Sequence, residues 1–242
     1  MKYKKLRITL IAILTVIFAV SAFQIIKTTH DYKTADKANT ELQERFVQEI
    51  QPTNEEEKIQ IPISIDFDAL KQENSDIIGW IYCPDTPINY PVVKGKDNNQ
   101  YLRTDLKGKY LVSGTIFADY RNGNVGEDSN YIVYGHNMKN STMFGTLVKY
   151  KEQSYYDAHP ILYFLTPENN YIIELCAGTV VKRDSDIYKT TLNENTVADF
   201  IAKSTFKSTV TIEKEENIIT LSTCSYEFNN ARYVLIGKPN KV

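Results

Sequence analysis

The run Asn217–Lys238, NIITLSTCSYEFNNARYVLIGK, decides how the rest of the chain is read. Two stretches rich in β-forming residues, Ile218–Thr223 and Arg232–Ile236, flank a short polar segment. That is the pattern of a hairpin with a longer loop. Cys224 stands where the first stretch ends and Arg232 where the second begins. Paired strands would therefore set a thiol and a guanidinium side by side at one end of a sheet. Side chains alternate faces along a strand, so Thr220, Ser222 and Cys224 share one side and Ile219, Leu221 and Thr223 the other. Cys224 falls on the more polar face, the placement of a nucleophile; a core cysteine more often sits among the isoleucines.

Working back from this run, β patterning begins at Ile77. Strands are expected at Ile77–Tyr82, Ile88–Val93, Gly114–Asp119, Tyr131–Tyr134, Ile161–Thr166, Tyr171–Val181 and Thr209–Ile212. Turns fall at Pro84–Pro87, Gly95–Asn99 and Pro167–Asn170. Thr142–Tyr150, Ser154–Ala158 and Thr196–Ser204 read as helices, and Lys182–Asn195 as a long polar loop. About eight closely spaced strands with interposed helices point to a mixed β-barrel.

Met1–Arg7 is basic, with no acid, and Ile8–Ile26 carries no charge. Nineteen helical residues rise about 28 Å, close to the roughly 30 Å hydrocarbon core. The expected organisation is a cytoplasmic start (1–7), a transmembrane signal-anchor (8–26), a helical, polar stalk (27–58) and a main domain (59–242) outside the membrane. A cleaved signal peptide with Val20-Ser21-Ala22 as its small-residue site is the rival reading; the apolar run through Phe23, Ile25 and Ile26 argues against it. In the stalk, Leu42, Phe46 and Ile50 repeat at helical spacing, so an amphipathic helix is expected over Ala35–Ile50. Pro52 and the acidic run Glu55–Glu57 end it as a solvated linker. Ile59–Ile65 is an extended connector, and Asp66–Asn74 a short helix with Phe67 and Leu70 inward and Ser64 as its cap.

A net charge of −2 gives no reason to propose nucleic acid as a partner, and no phosphate loop, zinc-spaced cluster or calcium loop occurs, so no cofactor or metal is expected. Three cysteines, Cys83, Cys176 and Cys224, are too few and too scattered for a disulfide framework. Cys83 and Cys176 read as small buried hydrophobes. Cysteine catalysis needs a proton carrier, and the chain has three histidines. His30 lies beside the anchor, and His159, before Pro160, reads as a packing residue. His136 follows the strand Tyr131–Tyr134 after Gly135, at a strand end like Cys224 and Arg232, and strand ends of one barrel can converge on one rim.

The segments TLSTCSY, with Arg232 eight residues after the cysteine, and YIVYGHNM resemble the sortases, membrane-anchored cysteine transpeptidases of Gram-positive bacteria. DIIGWIY, INYPVV, DNNQYL and SGTIFADYRN are similar to the class B branch, as is the helix expected between Val181 and Thr209. The likeness runs from about Ser75 to the end. It implies an eight-stranded β-barrel with an N-terminal helix and an extra helix before the cysteine strand. It also implies Cys224 as nucleophile, His136 as acid and base, and Arg232 as the group holding substrate and oxyanion. Asn98, Leu102, Ile187, Tyr188, Ser222 and Thr223 match positions that line the peptide groove.

The implied reaction cleaves a C-terminal sorting signal, NPxTx or PxTG-like, after threonine. The surface protein passes through a thioester to an amine of the peptidoglycan precursor or cross-bridge. Two alternatives stand beside it: a pilin-polymerising sortase, and a non-catalytic membrane-tethered binding domain. Arg232 also has a structural alternative, an ion pair with Glu227 or Asp119.

Overall fold

The structure is a computed structural model that describes residues 2–50, 61–213 and 216–242. The acidic run Glu55–Glu57, Pro52, Ile59 and the stalk–domain boundary at 58/59 lie outside the described residues. One continuous helix, α1 (Lys2–Phe46), takes in both the expected anchor segment and the stalk helix expected as a separate element. It is long and apolar enough to cross a membrane. Its far end docks on the domain: Ala35 and Phe46 are buried and Leu42 partly so. The helix stops four residues short of the expected Ile50, because Val47–Glu49 (β1) pairs antiparallel with Ile63–Ile65 (β2). Ile50, third in the helical series, is exposed.

Next comes α2 (Phe67–Glu73), capped by Asp66, whose carboxylate accepts the Ala69 amide at 2.9 Å. Ser64, the expected cap, lies in β2 instead. Then follow β3 (Ile77–Tyr82), β4 (Asn89–Val93), β5 (Ile116–Ala118), β6 (Asn130–Tyr134), α3 (Gln153–Ala158), β7 (Ile161–Leu165), β8 (Asn170–Lys182), α4 (Glu194–Ile201), β9 (Ile218–Cys224) and β10 (Ala231–Lys241). The helix expected over Thr142–Tyr150 is a 3-10 helix over Gly145–Lys151. Thr209–Ile212 forms no strand; Val210 and Ile212 pack instead against the apolar cluster around Phe200 and Ile218.

Eight strands close into the expected mixed barrel, in the order β10-β8-β7-β3-β4-β5-β6-β9. Neighbours are antiparallel except β4–β5 and β6–β9. Ile219 and Leu221 of β9 join Val133, Phe164, Ile173 and Leu235 in one core cluster. A second cluster, with Trp80, Leu70 and Phe46, seats α1 and α2. A third, with Cys176, Phe200, Ile218 and Val234, lies under α4. β10 outruns its expected end at Ile236, continuing through Pro239 to Lys241. Proline is tolerated there because β9 pairs with β10 only as far as Gly237, leaving Pro239 with β8 alone.

Cys83 and Cys176 are buried and unbridged, and burial pushes the Cys176 thiol up to about 12. The polar face of β9 is not open to water. Thr220 donates to Asn130 Oδ1 at 2.6 Å, and Ser222 shares a hydrogen bond with the Tyr188 hydroxyl at 2.8 Å.

Candidate active site

Three neighbouring strand ends form the floor of a cleft of about 440 Å³. In the antiparallel β9–β10 pair, Arg232 is the direct partner of Cys224, so the two side chains leave the sheet on the same face. On the other side, β6 runs parallel to β9 with Tyr134 opposite Ser222. The match continues past the strands. The Gly135 amide donates to the Ser222 carbonyl (3.1 Å), Thr223 Oγ1 to the Gly135 carbonyl (2.9 Å) and Asn137 Nδ2 to the Cys224 carbonyl (2.7 Å). His136 is thus strapped on both sides to the segment ending in Cys224. Gly135 permits this close approach: a Cβ there would lie 2.5 Å from Ile116 Cδ1 and 2.6 Å from the Phe144 ring.

His136 Nε2 lies 2.7 Å from the Leu102 carbonyl. A carbonyl only accepts, so Nε2 carries the hydrogen and Nδ1 keeps its lone pair. Burial holds the imidazole below its usual pKa of 6.5. The Leu102 carbonyl opposes that shift and the Arg103 charge adds to it. The ring is therefore mostly neutral at pH 7, able to accept a proton and then return it. Cys224 is half-buried and lines the cleft. Arg232 donates to the Ala231 carbonyl at 2.9 Å and pairs with no carboxylate among the described residues. The two acids that could have claimed it are taken: Glu227 pairs with Lys151, and Asp119 with Arg121.

One wall of the cleft hangs from Asp119, which the sequence did not single out for this role. Its side chain is fully buried just beyond β5. It accepts Arg121 Nε at 2.7 Å and Nη2 at 2.8 Å, the Tyr134 hydroxyl at 2.9 Å and Asn98 Nδ2 at 2.9 Å. These bonds outweigh the burial cost and lower its carboxyl to about 2. Arg121 Nη2 also donates to the Tyr188 carbonyl at 3.1 Å. Tyr188 stacks on Tyr134 with centroids 6.2 Å apart. The only signal in the sequence was an acid two residues before an arginine at a strand end.

Of the expected groove residues, Asn98, Leu102, Tyr188, Ser222 and Thr223 line this cleft. Asn98 is bound into the Asp119 network, and Leu102 holds His136 through its carbonyl. Ile187 is not on the cleft wall. Its side chain is buried in the cluster under α4; adjacent residues of the 3-10 turn Asp186–Tyr188 point about 120° apart, so Tyr188 touches that cluster and also reaches the cleft while Ile187 does not. Arg121, Arg183, Thr115 and Phe117 line the cleft without having been expected. His159 packs on Tyr155 and does not reach it. A second cavity, about 550 Å³ beside α4, includes Leu192, Val197 and Ile212 but no cysteine or histidine.

Comparison with known proteins shows the family and the fold. A sortase domain model matches residues 81–240. The chain is 38% identical to sortase B of Listeria monocytogenes over 176 residues, 70% of this chain and 72% of that one. It is 32% identical to sortase B of Staphylococcus aureus across the full length of both. Among solved structures, sortase B of B. anthracis in complex with AAEK1 superposes with a TM-score of 0.74 at 31% identity, covering 88% of this chain and all of that one. The S. aureus sortase B–substrate complex gives 0.69 at 32%, covering 73% and 85%.

Proposed function

The chain belongs to the sortase family, the class B-like cysteine transpeptidases, and from that premise we propose that Cys224, His136 and Arg232 carry its reaction. The observation behind this assignment is their convergence on the ends of β9, β6 and β10 around one cleft. The thiol of Cys224 attacks the carbonyl carbon of the threonine in a sorting signal, and its proton passes to the neutral His136. The tetrahedral oxyanion forms beside Arg232, whose uncommitted donors stabilise developing negative charge. His136 then returns the proton to the departing amine, the C–N bond breaks, and a thioester remains on Cys224. An acceptor amine attacks the thioester, His136 removes its proton, and the proton goes to the sulfur as it leaves. One amide is exchanged for another, so no outside energy source enters.

The acceptor in this reading is an amine of the cell-wall peptide, and the donor a surface protein with an NPxTx or PxTG-like signal. The S. aureus relative was solved with substrate, and a sortase B was solved complexed with triglycine, which supports a peptide donor and an amine acceptor here. The apolar part of α1 serves as a single membrane span with the catalytic domain outside; its hydropathy and the basic residues before it support this. The test is turnover of fluorogenic sorting peptides by the full chain. Cys224→Ala should abolish cleavage and the mass shift of the thioester. Cleavage that persists in the variant would show that the nucleophile is elsewhere.

A further inference from the structure

Among the described residues lining the catalytic cleft, three are arginines (Arg121, Arg183 and Arg232) and none is acidic. The chain as a whole is slightly acidic, at −2, so this is a local excess of positive charge. The three arginines are not equivalent. Arg121 is committed to Asp119 and the Tyr188 carbonyl. Arg232 stands opposite Cys224. Arg183 is exposed on the loop after β8 and makes no ion pair or hydrogen bond among the described residues. Its neighbours do not neutralise it inside the cleft. Asp184 and Asp186 line the groove on the other side of the loop, and Asp186 pairs with Lys189 at 2.8 Å. Glu227, after Cys224, is bound to Lys151 and Ser225.

A cleft lined by one sign of charge concentrates ligands of the opposite sign. A guanidinium also offers a planar fork that fits a carboxylate. We infer that Arg183 is a specificity-determining residue that recognises a carboxylate on the ligand entering this cleft. The inference rests on the catalytic reading of the cleft but not on the reaction steps, none of which uses Arg183. The carboxylate comes either from an acidic side chain of the donor peptide or from the acceptor amine.

Two arms separate the sources. In the donor arm, sorting peptides differing only by Glu or Gln at the variable position are turned over by the full chain and by Arg183→Gln. A partly exposed ion pair should give the wild type about a three- to fivefold preference for the Glu peptide at low salt, fading as salt is added. In Arg183→Gln the ratio should fall to about one through loss on the Glu peptide only. In the acceptor arm, triglycine and its C-terminal amide compete for the thioester, and the preference for the free carboxylate should vanish in the same variant. A third measurement does not depend on turnover: the Kd of the two peptides for Cys224→Ala with and without Arg183→Gln. If no preference appears with Arg183 intact in any of the three, or if the preference survives Arg183→Gln, the inference is overturned. If turnover fails while the charge preference in Kd remains, the inference stands and the catalytic assignment falls.

Discussion

On the floor of the cleft, Cys224, His136 and Arg232 are placed mainly by backbone pairing. On its wall, Tyr188 and Arg121 are placed mainly by side chains. The floor takes its precision from register: Arg232 opposite Cys224, Tyr134 opposite Ser222, and straps from Gly135 and Asn137 to the same strand end. The wall is a loop with only a short 3-10 turn of its own, held by a buried carboxylate, a guanidinium fork and one ring stack. Register decides which side chains face one another, and the groups proposed to react need such alignment for attack and proton transfer. A clasped loop fixes shape, as peptide recognition requires. The floor should therefore govern kcat, and the wall KM and local stability.

The largest effect should come from opening the clasp. Arg121→Met leaves Asp119 buried with its charge and without its main partner. Breaking a fully buried pair costs about 3–5 kcal/mol; with Arg121 partly in water, about 2 kcal/mol is expected. The pair also sets an acid limit. Asp119 titrates at about 2 when folded against a reference of 3.8. Its contribution is therefore fully present above about pH 4 and is lost as pH falls toward 2. Urea melts at pH 7 and pH 3 should show the variant less stable at pH 7 and less sensitive to acid. KM should rise severalfold with kcat near wild type. A collapse of kcat with stability unchanged would mean that the clasp serves the floor.

The next largest effect should come from loosening one strap. Thr223→Val keeps the shape of the side chain and removes the bond to the Gly135 carbonyl. A loss of about 1 kcal/mol in positioning His136 corresponds to roughly a fivefold fall in kcat. KM should hold. The NMR titration of the His136 ring should move up toward 6.5 as water enters. An unchanged kcat and titration would show that Asn137 and the Leu102 carbonyl hold the ring by themselves.

These two regions were not equally legible in the sequence. The floor could be read because strand ends are local signals. TLSTC ends one apolar run, Arg232 opens the next, and His136 follows a third after a glycine, so strand pairing alone brings them together. The wall depends on partners far apart in sequence. Arg121 reaches Tyr188 across 67 positions, Tyr188 reaches Ser222 across 34, and Asn98 reaches Asp119 across 21. No periodicity encodes such contacts. Ile187 shows the same limit at short range: it was grouped with Tyr188, and the 3-10 turn sends one into the core and the other to the cleft. The misread ends elsewhere have a related cause. α1 stops at Phe46 because β1 finds β2, and Thr209–Ile212 lacks a strand because its apolar residues are claimed by the cluster under α4.

The smallest effect should come from the hydrogen bond between Tyr188 and Ser222, one of several that join wall to floor. Tyr188→Phe keeps the stack on Tyr134 and the carbonyl that Arg121 holds, and removes only the hydroxyl shared with Ser222. Ser222 is buried, so its hydroxyl loses its partner, at a cost of about 1 kcal/mol. Ser222 lies two residues before Cys224 on the same face of β9, but β9 is held by β6 and β10 on both sides, which should keep the cysteine in place. Steady-state kinetics should therefore give a two- to fivefold rise in KM, by order of magnitude, with kcat within error of the wild type. A fall in kcat of similar size would mean that the hydroxyl transmits the position of the wall to Cys224. Floor and wall would then be one device, with the Asp119 clasp acting on the nucleophile itself.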